Sequence, residues 1–158
     1  MSKKNKSMDV IKLRGALEYA LGNAFTGEII QRGKNENVVA SVGRAWMLKR
    51  LGSNDSQVID RIYLGTDNTA ASSTQTGLIA SAESRAAGTI STAGTTADPP
   101  YMTFAASWAS NETFTNSDNI YEFGLFTDEP VMVGRYVTGS LINFSTSNTL
   151  AITYTLSN

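Results

Sequence analysis

The chain has 158 residues, of which 41% are hydrophobic and 17% charged, and its 13 basic and 14 acidic side chains leave a net charge of -1. Near-neutrality gives no electrostatic footprint for a nucleic-acid partner. The absence of cysteine and histidine removes disulfides, thiolate and imidazole metal sites, and Ser-His-Asp or Cys-His catalysis. The charged share lies below the usual value of about 25%. That suits an all-β protein whose exposed positions are Thr, Ser, Asn and Ala, and equally a protein covered by neighbours.

The length suits one domain, able to bury roughly 70% of its unfolded surface. No apolar run is long enough to span a bilayer, and no signal-peptide core follows the basic start. The expectation is a soluble chain made in the cytoplasm without Sec export.

Residues 1–9 form a polar arm carrying Lys3, Lys4 and Lys6. It reads either as a solvated terminus or as an arm that docks on an acidic neighbour. From residue 10 the pattern changes to period two. Ile11, Leu13, Leu17, Tyr19 and Leu21 share one parity, which predicts a long strand bulged at Gly15. Asn23-Ala24-Phe25-Thr26-Gly27 is a hairpin turn with Gly27 placed for positive φ, and residues 28–32 read as the return strand.

A helix is predicted over residues 41–51, with Ser41 as N-cap and Gly52 as the left-handed residue at its end. Its apolar residues Val42, Ala45, Trp46, Met47, Leu48 and Leu51 spread around much of the cylinder, which predicts cover on more than one side. Trp46 and Met47 read as core packing.

Residues 58–65 read as a short strand. A Thr/Ser/Ala/Gly-rich excursion follows over residues 66–100, with an extended piece at 78–87 and a mobile loop at 89–98 that Pro99-Pro100 ends. Residues 101–109 form another strand, with Met102, Phe104, Ala106 and Trp108 on one parity, and Phe114 stands at the tip of the polar loop 110–119. Three runs between residues 120 and 156 then describe an antiparallel meander. In the last of them Leu150, Ile152, Tyr154 and Leu156 alternate with Thr149, Ala151, Thr153 and Thr155. The fold class is mainly β: an antiparallel β-sandwich or jelly-roll-like domain over residues 10–158, with one short helix and long loops.

Asp118 and Glu122 form the clearest acidic group, and paired carboxylates can hydrolyse glycosides. The preferred reading of Glu122 is structural, an ion pair with Arg85 or Arg135. Asp128-Glu129-Pro130 is turn chemistry. Asp67-Asn68 and Asp118-Asn119 carry oxygens suited to calcium but lack the spaced ligands of an EF-hand loop, so no metal is assigned. Gly22, Gly27 and Gly33 are not placed as a phosphate-binding fingerprint.

Three blocks carry a resemblance. The first runs from Leu17-Glu18-Tyr19 through Phe25-Thr26-Gly27-Glu28 to Gly43-Arg44-Ala45. The second is Ile62-Tyr63-Leu64-Gly65-Thr66-Asp67-Asn68-Thr69-Ala70, with Leu78 and Arg85 behind it, and the third is Ile120-Tyr121-Glu122-Phe123-Gly124-Leu125-Phe126. Their order resembles a β-rich family of small tailed-bacteriophage virion proteins. The basic arm and the loop at 89–98 depart from that pattern.

The resemblance implies a non-enzymatic structural protein without cofactors, located in the virion and assembled in the host cytoplasm. A capsid decoration or cement protein comes first, and a tail, neck, baseplate or fibre component second. Its partners would be the major capsid protein or other virion proteins, with a homotrimer matching the threefold sites of a capsid lattice. Lys3, Lys4, Lys6 and Phe114 are the candidate contact residues. A carboxylate-dependent glycan hydrolase using Asp118 and Glu122 stands as a third reading.

Overall fold

A computed structural model describes residues 12–53, 56–86, 89–91, 101–110, 112 and 119–158, with backbone alone at 82–86 and 89–91. Among the described residues nine strands and one helix follow one another. They are β1 (Arg14–Asn23), β2 (Ile29–Val39), α1 (Ser41–Arg50), β3 (Ile59–Gly65), β4 (Ser81–Ala86) and β5 (Thr89–Ser91), then β6 (Tyr101–Trp108), β7 (Asn119–Thr127), β8 (Met132–Asn143) and β9 (Asn148–Ser157). The strands hydrogen-bond in the order β4-β3-β7-β8-β2-β1-β9-β6-β5, and every pairing is antiparallel. This is the expected mainly-β, sandwich-like class.

The fold-over occurs at β2. Its first part pairs with β1, and its end pairs with β8 through Val38↔Arg135 and Val39↔Gly134. One layer is thus β5-β6-β9-β1-β2 and the other β4-β3-β7-β8. Their facing sides make one core. Leu17, Tyr19, Phe104, Trp108, Leu150, Ile152 and Tyr154 come from the first layer, and Ile62, Leu64, Phe123, Leu125 and Tyr136 from the second. The Tyr19 and Phe123 rings meet across the layers at 5.8 Å between centroids.

The terminal meander needs correction. β7 and β8 pair, but β9 leaves β8 and crosses to the other layer, where it lies between β1 and β6. The alternation in β9 is as expected, with Leu150, Ile152, Tyr154 and Leu156 all buried. β1 is regular at Gly15. Its register against β2 shifts instead between Leu21 and Gly22, beside the turn, where Gly27 has φ 73°. The return strand is longer than 28–32 because Gly33 passes directly over the Tyr19 ring instead of ending it.

The helix is found, but its caps differ. Ala40 is the N-cap with no side-chain cap bond, and Leu51 closes the C-terminus in a right-handed conformation, so Gly52 is not the left-handed residue. Cover on several sides is also corrected. Gly43 is the buried residue of α1 and rests on β8, where an added Cβ would lie 2.5 Å from Val133 Cα. Trp46 is half-buried and donates its indole N–H to Gln57 at 2.7 Å, Met47 packs on the core edge, and Leu48 is 69% exposed.

Candidate functional site

The strand β7 is buried on both faces, which a sandwich strand with one solvated side would not be. Phe123 and Leu125 point into the main core, while Glu122, Gly124 and Phe126 take the opposite face. That outer face is covered by residues 66–80. Leu78 and Tyr63 pack with Phe126 and Met132 in a second, smaller apolar cluster, and the Tyr63 and Phe126 rings stand 4.5 Å apart.

Glu122 and Arg135 lie at the centre of this cover, both fully buried. In the β7–β8 register Arg135 sits opposite Gly124, diagonal to Glu122 on the same face. Arg135 Nε donates to Glu122 Oε2 at 2.7 Å, and Nη2 stands 2.7 Å from the same oxygen. Nη1 donates to the Thr69 carbonyl at 3.0 Å, the Ala70 carbonyl at 3.4 Å and Gln75 Oε1 at 2.9 Å. Glu122 in turn accepts the backbone N–H groups of Ala80 at 3.0 Å and Ile79 at 3.3 Å. The pair therefore holds both ends of the 66–80 segment. Gly65 makes room for it, since a Cβ there would lie 2.5 Å from Glu122 Cγ.

Asp67 is the outer member of the cluster, 3.9 Å from Arg135 Nη2. Hydrogen bonds from the Thr69 hydroxyl and backbone N–H hold its carboxyl below the ordinary aspartate value, with the Arg135 charge adding to them against a smaller effect of burial. A guanidinium thus stands beside Asp67, the position that carried calcium-type oxygens in the sequence. Among the described residues no cluster of three or more acidic ligands is suited to a metal.

This arrangement is poor acid–base machinery. A general acid or base must reach the reacting proton. The Glu122 carboxylate is instead sealed under a segment and engaged by a guanidinium and two amides. Asp118, its partner in the hydrolase reading, lies outside the described residues. Of the two arginines considered for Glu122, Arg135 reaches it. The backbone of Arg85 pairs with Ile62 in β3, and its side chain is outside the described set. Lys3, Lys4, Lys6 and Phe114 also lie outside the described residues, as do residues 92–98 of the expected loop at 89–98, whose first residues, Thr89–Ser91, are instead strand β5 paired with β6.

A second polar contact links the layers where β2 changes sheets. Asn37 donates through Nδ2 to the Tyr154 hydroxyl, in space left by Gly134. Complete burial pushes the Tyr154 phenol far above its ordinary value, against a smaller opposing effect of the Asn37 bond.

The surface holds features that the sequence reading missed. Phe25 at the β1–β2 turn is 83% exposed, with Ile29 and Ile30 also exposed beside it. A groove of about 530 Å³ runs between the start of β1 and α1, lined by Lys12, Leu13, Arg14, Arg44, Met47, Leu48 and Leu51. The signal for the groove was present as the spacing of Arg44, Met47, Leu48 and Leu51, which places them on one helix face. No described helix is long and apolar enough to cross a membrane. Comparison with family models, with curated proteins and with solved structures gives no match to the chain.

Proposed function

We propose that the protein is a non-enzymatic structural component of a tailed-phage virion, acting as a capsid decoration or cement protein. The phage assignment rests on the sequence resemblance. The observation that supports a binding role is the distribution of apolar side chains. A β scaffold seals its carboxylate–guanidinium cluster inside, yet leaves Phe25, Leu48 and Leu51 largely exposed at the hairpin end and beside the helix. Exposed apolar side chains at two places on a rigid framework suit contact with other proteins. A protein of this kind binds the assembled lattice in preference to free subunits and stabilises it by mass action.

The experiment is to mix the purified protein with separately purified capsids and tails and to image both by electron cryo-microscopy. Density at regular positions on the shell is the expected result. Density confined to the tail overturns the cement role in favour of a tail, neck, baseplate or fibre component. Density on neither particle overturns both.

A further inference from the structure

We propose that the groove between the start of β1 and the outer face of α1 is a docking site for an acidic, amphipathic segment of a partner protein. The proposal deepens the reading above, on which it rests for the partner's being another virion protein.

Leu13 and Met47 are half-buried against the main core and form the floor, while Leu48 and Leu51 stand out at 69% and 83% exposure. A volume of about 530 Å³ is within the range that encloses a few side chains of a bound partner. The polar lining has one sign. Lys12, Arg14 and Arg44 are its charged members, no acidic residue lines it, and α1 itself contains none. Among the described residues no ion pair engages these cations. An occupant must therefore bring apolar side chains for the floor and carboxylates for the rim, a pattern that one face of a short helix supplies at i, i+3, i+4 and i+7.

Other occupants fit less well. The chain's own residues 1–9 carry Lys3, Lys4 and Lys6 against the single Asp9, a net charge of the same sign as the rim. A second copy placing the same face here would set cation against cation. An anionic membrane would attract the charges, but a concave site holds its apolar floor back from a flat bilayer.

The test uses the full chain and a fluorescein-labelled helical peptide with leucines at i, i+4 and i+7 and glutamates between them. Its counterparts carry lysine for glutamate, or alanine for leucine. Anisotropy should show binding of the acidic peptide alone. That binding should weaken about tenfold in the Leu48→Ser/Leu51→Ser variant, which changes exposed positions, and also as salt rises from about 50 to 500 mM. The Arg14→Glu/Arg44→Glu variant should instead prefer the lysine peptide.

No binding, equal binding of the acidic and basic peptides, or indifference to the leucine substitutions overturns the proposal. So does a dimer in sedimentation that the leucine substitutions abolish, uptake onto phosphatidylserine vesicles by the same residues, or tighter peptide binding in Val10→Ser/Ile11→Ser, which would indicate the chain's own residues before Lys12. Because this assay contains no virion, its failure leaves the shell-binding experiment standing. Failure of shell binding likewise leaves the peptide result intact.

Discussion

Replacing Arg135 by methionine should be the most damaging single change at the cluster, and its size follows from burial. Methionine roughly fills the space of the arginine stem but leaves Glu122 as an uncompensated charge at 0% exposure. Breaking a buried pair by removing one partner costs about 3–5 kcal/mol. The Thr69 and Ala70 carbonyls and the Gln75 side chain also lose their donor, but they lie near the surface and recover water contacts. With a urea m-value of about 2 kcal/mol/M, the midpoint falls by about 1.5–2.5 M, read from the fluorescence of buried Trp108. Adding Glu122→Gln to Arg135→Met removes the stranded charge while keeping an acceptor for the Ala80 amide. The double variant should therefore be more stable than Arg135→Met alone by about 1 kcal/mol or more. Hydrogen exchange at Ala80 should accelerate in Arg135→Met beyond what global destabilisation predicts, because the segment loses its anchor. A cost below about 1 kcal/mol for Arg135→Met, or a double variant less stable than the single, would refute the claim that the pair is a buried structural staple.

Two further outcomes can be measured on the purified protein. Gly43→Ala should lower stability by about 1–3 kcal/mol in thermal melting, because the clash with the Val133 backbone outweighs the gain of about 1 kcal/mol in helix propensity; a stabilised variant would mean that α1 does not rest on β8 at this point. Burial raises the Tyr154 phenol above its ordinary value of 10.0, so the neutral form is favoured in the folded state. The stability it contributes is complete below pH about 10 and is lost as pH climbs above that value. Tyr154→Phe should flatten this alkaline decline and cost about 1–2 kcal/mol at neutral pH by leaving Asn37 Nδ2 without its acceptor. An unchanged alkaline limb would refute the assignment.

The strands were legible where one face meets the core and the other meets water or small residues. β9 is the clearest case, and the buried set Leu150, Ile152, Tyr154 and Leu156 is the one its alternation selects. The pairing of the strands was less legible, because a short link after β8 reads the same whether it turns back within a layer or crosses to the other. The run Ile-Tyr-Glu-Phe-Gly-Leu-Phe in β7 lacks alternation because both of its faces are covered, and the cover comes from a polar segment with no hydrophobic signature of its own. Sequence could name Glu122 and two arginines but not choose between them, since the choice is made by register. Gly124↔Arg135 puts that guanidinium diagonal to Glu122, whereas Arg85 lies on the far side of β3, opposite Ile62. The groove was hidden for a related reason. Its wall on α1 was present as a helical spacing, but Leu13 and Arg14 come to it only through the fold.

The buried pair and the Thr/Ser/Ala-rich segment explain one another. Residues 66–80 offer Leu78, half-buried, and Ile79, half-exposed, as their large apolar side chains. Ordering a segment costs about 1–2 kcal/mol per residue in backbone entropy, and so little apolar area cannot offset that. Hydrogen bonds to charged groups are the stronger class, at about 1.5–3 kcal/mol each. Arg135 and Glu122 supply such bonds to Thr69, Ala70, Gln75, Ile79 and Ala80, at both ends of the segment. Once pinned, the segment sets Leu78 into the cluster of Phe126 and Met132 that Ala40, Val42 and Tyr63 also cover, on the outer face of β7 and β8. The staple thus bears on binding as well as on stability. It helps to cover the apolar cluster of the second layer and leaves the hairpin end and the cation-rimmed groove as the described places with the most exposed apolar side chains. If the segment is released by Arg135→Met, non-specific association should rise while peptide binding at the groove, which none of residues 66–80 line, persists. That combination would separate the role of the cover from the role of the contact surface.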